Sequence, residues 1–177
     1  MLLASVPAIA GPYIGGSVGQ GDVDRSITSA LITSGSFDGK DTAFKIFSGY
    51  MFTPSIGVES AYVNFGEATY AGEFSGLPVT GGTLKASGFT LELLASHSLT
   101  PEFSVFGKLG VLFWEWRAND TTAGEAFVAV EHGRDLMFGL GVTYSLGRRW
   151  GLRAEWERFK LDDASADLLS VGLVWSF

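Results

Sequence analysis

Charged side chains recur at alternate positions inside segments that are otherwise apolar or small. The clearest case is Arg153-Ala154-Glu155, and Lys45 and Lys108 lie in similar surroundings. A charge on a buried face needs a partner of opposite sign, because breaking a buried pair is strongly destabilising. The chemistry that these residues offer is therefore ion pairing across a narrow interior. The candidate network consists of Lys45, Glu59, Glu92, Lys108, Arg153 and Glu155.

The spacing of these charges is that of a β-strand, in which successive side chains point to opposite faces. Residues 135–144 show the pattern best, since Leu136 and Leu140 lie on one face and Asp135 and Gly139 on the other. We predict eight strands in hairpin order. They are Pro12–Gly21, Asp41–Thr53, Ile56–Gly66, Lys85–Ser98, Glu102–Arg117, Asp135–Leu146, Trp150–Leu161 and a last strand that ends at Phe177.

Composition indicates what these strands face. Hydrophobic residues make up 46% of the 177 residues and charged residues only 18%, below the roughly 25% of soluble domains. No stretch has the about 20 predominantly apolar residues of a membrane helix. Interleaved apolar residues instead predict an all-β fold, a transmembrane up-and-down antiparallel β-barrel of eight strands. A soluble β-sandwich, whose strands also alternate, is the alternative.

The predicted connections alternate in length. Those at Pro54, Pro101 and Arg148 are short, and those at residues 22–40, 67–84 and 118–134 are long and polar. Bacterial barrels have short periplasmic turns and longer outer loops. We therefore expect the three long segments to be surface loops on a barrel whose closure leaves no free strand edge.

The last strand has an aromatic end. Its outward face is wholly apolar and finishes with Leu173, Trp175 and Phe177. This pattern resembles the C-terminal signature of Gram-negative outer-membrane proteins, which the barrel-assembly machinery reads. The resemblance implies that Phe177, Trp175 and Leu173 form an assembly signal.

Residues 1–10 look like the end of a secretory signal, because a short apolar run finishes with Ala8-Ile9-Ala10, an A-x-A cleavage pattern. We expect residues 1–10 to be a signal-peptide remnant and residues 11–177 to be the outer-membrane β-barrel domain. The absence of cysteine excludes disulfides and thiolate metal sites. We predict no metal and no cofactor. A net charge of −7 argues against nucleic acid as a partner.

Four segments, in their order and spacing, resemble the OmpA-type transmembrane domain. The segments are 45–50, 58–62, 138–144 and 152–156. The resemblance implies an integral protein of a Gram-negative outer membrane, in contact with outer-membrane lipids and lipopolysaccharide and with extracellular ligands through its loops. Full-length OmpA proteins have a further peptidoglycan-binding domain that this sequence does not contain, so we do not expect cell-wall tethering.

The same family has a lumenal network of Glu, Lys and Arg that has been discussed as a gate. Glu59, Lys108, Arg153 and Glu155 match that pattern, whereas Leu94 stands where the family has a lysine. The resemblance therefore implies a lumenal network without implying an identical switch. A polar plug that fills the lumen is the interpretation that we favour.

The two histidines raise catalysis as an alternative, since some eight-stranded outer-membrane barrels modify lipid A with a His near the outer rim. His97 lies beside a predicted short turn, at the wrong end, and His132 has no adjoining serine. We therefore predict no enzymatic activity. Gly139-Leu140-Gly141 does not open a helix, so it is no phosphate loop; these glycines face the lumen, and Gly141→Ser is expected to be mild.

The sequence thus predicts an outer-membrane barrel with a structural, envelope-integrity and surface-loop interaction role. A narrow pore or facilitator for small or hydrophobic solutes, gated by the lumenal charges, is the second hypothesis. An enzyme that modifies lipid A at the rim is the third.

Overall fold

The computed structural model describes the backbone of residues 10–25, 32–37, 41–74, 77–122, 125–161 and 164–177. Side chains are described for residues 10–21, 42–66, 86–115, 132–160 and 165–177. The described part of the chain contains no helix that is long and apolar enough to cross a membrane. The predicted signal-peptide remnant, apart from Ala10, lies outside the described residues and stays a prediction.

Nine antiparallel strands account for most of the described backbone. They are β1 (Gly11–Arg25), β2 (Ile32–Phe37), β3 (Asp41–Thr53), β4 (Ile56–Phe74), β5 (Leu77–Ser98), β6 (Phe103–Thr122), β7 (Glu125–Ser145), β8 (Trp150–Leu161) and β9 (Ala164–Ser176). Eight of them form a ring in which β1 pairs with β3 and β9, and β4 pairs with β5. The ring is a closed barrel, which satisfies the backbone hydrogen bonds without an open edge. The short strand β2 pairs with the far end of β4, outside the ring.

The faces of the strands alternate as predicted. Leu91, Leu93, Leu109 and Leu140 are exposed on the outer surface, whereas their sequence neighbours on the other face point into the lumen. The same alternation holds for β3, where Phe47 is buried between exposed positions. The eight-stranded transmembrane barrel is therefore confirmed, and the soluble sandwich is excluded.

Three short turns connect neighbouring strands at one end of the barrel, which we call the turn end. Thr53 Oγ1 accepts hydrogen bonds from the backbone N–H groups of Ser55 and Ile56, at 3.2 and 3.0 Å. Thr100 Oγ1 does the same for Glu102 and Phe103, at 3.3 and 3.0 Å. The repeated Thr-Pro pair thus makes the same turn twice, with the hydroxyl replacing a backbone acceptor. The third turn contains Gly147, whose φ of 107° suits glycine.

The opposite end, which we call the loop end, differs from the sequence prediction. Residues 67–84 and 118–134 were expected to be loops, but β4 and β5 stay paired out to Phe74 and Leu77, and β6 and β7 out to Thr122 and Glu125. Ladder hydrogen bonds join backbone groups, so a polar composition does not end a strand. The expectation was wrong because it took a polar composition as the end of the sheet.

Candidate functional site in the barrel lumen

The charged side chains meet in the middle of the lumen because the register places their strand positions at similar heights. Glu59 on β4 lies directly opposite Glu92 on β5. On the next three strands, Lys108 of β6 pairs in register with Gly139 of β7, and Gly139 with Glu157 of β8. The absence of side chains on the glycines leaves space for the long charged ones. Seven buried residues make up this charge cluster: Lys45, Glu59, Glu92, Lys108, Arg153, Glu155 and Glu157.

Arg153 and Glu59 form a two-point ion pair across the lumen. Arg153 Nη1 donates to Glu59 Oε2 at 2.7 Å, and Nη2 donates to Oε1 at 3.2 Å. Nη2 also lies 3.2 Å from Glu155 Oε2. A planar guanidinium suits this geometry because its N–H groups form a fork that matches a carboxylate. Tyr13 adds a third donor, with its hydroxyl 2.7 Å from Glu59 Oε2.

Lys108 is the centre of the cluster. Its ammonium lies 2.6 Å from Glu157, 2.8 Å from Glu92, 3.0 Å from Glu155 and 3.2 Å from Glu59. Bulk solvent does not reach these contacts, since all five side chains are at most 1% exposed. One cation thus links carboxylates from three strands, and its removal would leave four acidic groups facing one another.

Lys45 joins the cluster from β3 and contacts Glu155 and Glu157, the latter at 2.7 Å. All six lumenal residues in the predicted network therefore lie in this one cluster. Glu157 was not in that set, although it continues the Arg153, Glu155 alternation by one inward step. This alternation is the sequence feature that could have placed Glu157 in the network. Tyr13, the inward neighbour of Ile14, was also missed because an aromatic side chain gives no such signal.

An aromatic layer lies between the charge cluster and the turn end. The guanidinium of Arg153 lies 4.2 Å from the ring centre of Phe106 and 4.7 Å from that of Phe47. Gly141 makes room for the Phe106 ring, because a Cβ there would lie 2.2 Å from Phe106 Cζ and 2.8 Å from the Ala154 carbonyl oxygen. The expectation that Gly141→Ser is mild was therefore wrong. A lumenal glycine cannot be replaced by a larger residue without strain when a neighbouring aromatic ring already occupies the space that the new side chain would need.

An apolar layer closes the lumen on the loop-end side of the charge cluster. On β8, Phe159 is the next inward residue after Glu157, and on β6, Leu112 lies two inward positions beyond Lys108. Phe159 meets Phe65 edge to face, with ring centres 5.1 Å apart. The members of this layer are at most 1% exposed. They are Val63, Leu112, Met137, Phe159 and Leu168.

Beyond the apolar layer, the inward Asp135 accepts a hydrogen bond from Trp114 Nε1 at 2.5 Å. At the turn end, a cavity of about 290 Å³ opens between the short turns, lined in part by Ser104, Thr143 and Arg148. None of its lining residues belongs to the charge cluster. The lumen thus consists of a shallow mouth, an aromatic and charged middle, and an apolar layer.

The residues of the predicted assembly signal lie on the outward face of β9 or just past its end. Leu173 and Phe177 are exposed. The rings of Trp175 and Trp150 pack edge to face with centres 4.6 Å apart. This arrangement gives a lipid-facing aromatic end to the strand, and its reading by the assembly machinery stays a prediction.

The histidines lie far from the charge cluster. His97 is exposed near the turn end. The exposed His132 on β7 has its Nδ1 atom 3.7 Å from a carboxylate oxygen of Glu115 on β6. Among the described residues, no group of three or more His, Cys, Asp or Glu side chains is arranged to hold a metal ion.

Structural comparison finds other small barrels. The chain is 18% identical to Ail, the attachment invasion locus protein of Yersinia pestis, with a TM-score of 0.64 and coverage of 96% of this chain and 100% of Ail. OprG from Pseudomonas aeruginosa gives 18% identity and a TM-score of 0.70, covering 95% and 96% of the two chains. Neisserial surface protein A gives 17% identity and a TM-score of 0.63, covering 95% and 98%. At these identities the likeness concerns the fold.

Among curated proteins, none matches the sequence significantly. A family model does match, over residues 7–167, and it describes the OmpA-like transmembrane domain. This match agrees with the closed barrel, the lipid-facing apolar surface and the lumenal charges. The protein is located in the outer membrane of a Gram-negative bacterium, and the chain belongs to the OmpA-like transmembrane domain family.

Proposed function

We propose that this barrel is a non-conducting and non-catalytic structural component of the outer membrane, which helps to maintain the envelope and holds its surface hairpins in place. The observation that carries the proposal is the apolar layer. Leu112, Met137 and Phe159 have no exposed surface, and they lie directly beyond a charge cluster that is itself dry. An interior of eight strands is just wide enough for side chains to fill it.

The apolar layer matters more than the charges for this conclusion. A charge cluster alone can exchange partners and admit water, because each of its members is polar. Moving a hydrated ion through a layer of aliphatic and aromatic side chains removes its hydration without replacement, which is strongly unfavourable. The two layers in series therefore support a closed lumen better than the charge cluster would by itself.

Conductance in planar lipid bilayers tests this proposal. We expect the wild-type barrel to show no stable open level. The double variant Met137→Ala/Phe159→Ala removes apolar side chains from the lumen and should admit brief openings. Its matched control is Phe138→Ala/Leu140→Ala, which removes comparable apolar groups from the lipid face of β7 and should stay closed. A stable, ohmic wild-type conductance would overturn the structural role.

A gated pore is the second candidate, and one observation favours it. Lys108 lies within 3.2 Å of four carboxylates. Its ammonium group can therefore exchange one carboxylate partner for another with only a small movement. The apolar layer would have to open as well. If Glu59→Gln produced channel openings while the apolar layer stayed intact, the gated pore would replace the structural role.

The surface hairpins give the interaction part of the proposal. A second structure of Ail contains the heparin analogue sucrose octasulfate, a polyanion. The loop-end segments 22–40, 67–84, 118–134 and 162–165 of the present chain contain ten acidic and three basic residues. Such a surface repels a polyanion, so we expect a neutral or cationic extracellular partner. Heparin-column retention at low salt checks this: the refolded protein should not be retained.

A further inference from the structure

The charge cluster is not electrically balanced. Among the described residues it contains four carboxylates, those of Glu59, Glu92, Glu155 and Glu157, but only three cations. The titratable groups that share this section of the lumen with Glu92 come from five other strands. They are Tyr13 on β1, Lys45 on β3, Glu59 on β4, Lys108 on β6, and Arg153, Glu155 and Glu157 on β8. β7 and β9 add the uncharged Gly139 and Ser170 at this height. One negative charge is left over in a site from which solvent is excluded.

Hydrogen bonding identifies Glu92 as the carboxylate that is left over. Glu59 accepts from Tyr13 and Arg153, and Lys45 donates to Glu155 and Glu157. Glu92 is 1% exposed, and neither of its oxygens has a hydrogen-bond partner among the described residues.

Lys108 fills this gap only in part. Its ammonium lies 2.8 Å from Glu92 Oε2 without hydrogen-bond geometry, and it already donates to Glu59 and Glu157. An ammonium has only three protons to share, and four carboxylates surround this one. Glu92 also lies directly opposite Glu59 in the β4–β5 ladder, where like charges are destabilising.

A second unpartnered group lies beside Glu92. Thr90 is 2% exposed, lies on the same inward face of β5, and its Oγ1 has no hydrogen-bond partner among the described residues. A hydroxyl and a carboxylate are both oxygen donors, which suit a proton or a hard cation. Since the excess is one charge, a monovalent species neutralises the cluster, whereas a divalent ion would reverse its sign.

We propose that the charge cluster binds one compact monovalent cation, a proton or an alkali-metal ion, at Glu92 beside Thr90. The cation binds on folding, because only the folded barrel removes the Glu92 carboxylate from water and places it opposite Glu59. Its uptake brings the net charge of the cluster to zero. The folding equilibrium of the protein is therefore linked to the concentration of that cation.

The test measures urea-induced unfolding of the full chain in neutral lipid vesicles in two series. The first varies pH from 6 to 9 at fixed salt, above the pKa of about 4.3 of a glutamate in the unfolded chain. If the cation is a proton, the folded state holds one more proton than the unfolded state. The folding equilibrium constant then falls about tenfold per pH unit relative to Glu92→Gln, because the slope follows the difference in bound protons.

The second series varies sodium or potassium at fixed pH, with choline chloride keeping the ionic strength constant. If the cation is an alkali ion, the folding equilibrium constant rises up to tenfold for each tenfold increase in its concentration. Thr90→Val weakens that dependence, since the hydroxyl is a ligand, and leaves a proton dependence in place. Glu102→Gln, at an exposed turn position, is the matched control and should behave as wild type in both series.

Glu92→Gln keeps the shape of the side chain and removes the excess charge. It should fold, and its folding equilibrium should no longer depend on the pH or on the alkali-ion concentration, whichever of the two affects the wild type. Two results would overturn the proposal: equal dependence of wild type and Glu92→Gln in both series, or failure of Glu92→Gln to fold where Glu102→Gln folds.

Discussion

The charge cluster and the apolar layer fill neighbouring sections of one lumen by different physical means. Glu157 and Phe159 are two residues apart on β8, point the same way, and are both fully buried. Glu157 is held by the ammonium groups of Lys45 and Lys108 at 2.7 and 2.6 Å, whereas Phe159 is held by packing against other rings and aliphatic groups. The stability of Glu157 in the lumen depends on the chemical identity of its partners, whereas that of Phe159 depends on the volume of the side chains packed around it.

This difference has consequences for the fold. Charged groups fix which strands face one another, since only one register brings Glu59 to Arg153 and Lys108 to Glu157. Packed apolar groups exclude water but accept other side chains of similar size. We infer that the charge cluster contributes specificity of assembly and that the apolar layer contributes closure.

The largest expected effect comes from Arg153→Ala. It leaves Glu59 without its two-point partner inside the dry lumen, and breaking a buried ion pair costs about 3–5 kcal/mol. The free energy of unfolding, measured by urea titration in lipid vesicles, should fall by that amount.

The double variant Arg153→Ala/Glu59→Gln tests the pairing itself. Once Glu59 is neutral, part of the loss should be recovered, because the carboxylate that faced Arg153 no longer carries a charge. Strictly additive losses from the two single changes would show that the two residues are not coupled and would contradict the pairing.

Next in size is Leu140→Arg on the lipid face of β7. Leu140 is 60% exposed and lies between Gly139 and Gly141, at the height of the charge cluster, so the new charge would face the middle of the bilayer. Such a charge costs about 2–4 kcal/mol. Leu140→Ala is the control, since it removes the same side chain without adding charge. Equal unfolding free energies for the two variants would mean that position 140 does not contact the hydrocarbon core.

The outer surface of this barrel was predictable from the sequence because it follows a period of two. The bounds of β3 and β8 agree with the prediction to the residue, since Pro54, Gly147 and the charged turn residues mark their ends. The loop end was less predictable. Polar residues around Thr83 and Asn119 give no sign that their backbones remain paired.

The inside of the lumen was predictable only in part. Six charged residues of the charge cluster followed from alternation, but the apolar layer did not. Alternation alone gives no sign that Met137 and Phe159 belong to one apolar layer. Met137 and Phe159 pair in the β7–β8 ladder, whereas the contact of Phe159 with Phe65 on β4 joins strands that are not neighbours and that only closure of the barrel brings to one lumen.

A smaller effect is expected for Arg153→Lys, which keeps the charge and removes the fork. Position 153 would then donate one hydrogen bond to Glu59 in place of two, and hydrogen bonds to charged groups contribute about 1.5–3 kcal/mol. Unfolding in lipid vesicles should therefore show an intermediate loss, clearly below that of Arg153→Ala. A loss equal to that of the alanine variant would mean that the shape of the guanidinium, including its packing on Phe47 and Phe106, outweighs its charge.

The smallest effect is expected for Met137→Leu in the apolar layer. Both side chains are apolar and of similar volume, and Met137 is held by packing next to Phe159, with which it pairs in the β7–β8 ladder. Volume-conserving exchanges of this kind cost less than about 1.5 kcal/mol, and bilayer conductance should stay absent because the layer remains filled. The comparison with Arg153→Lys is the decisive one, since each variant is the conservative exchange for its own layer. If Met137→Leu destabilised the barrel more than Arg153→Lys, the apolar layer would depend on exact shape, and the division between a specific charge cluster and a volume-filling apolar layer would fail.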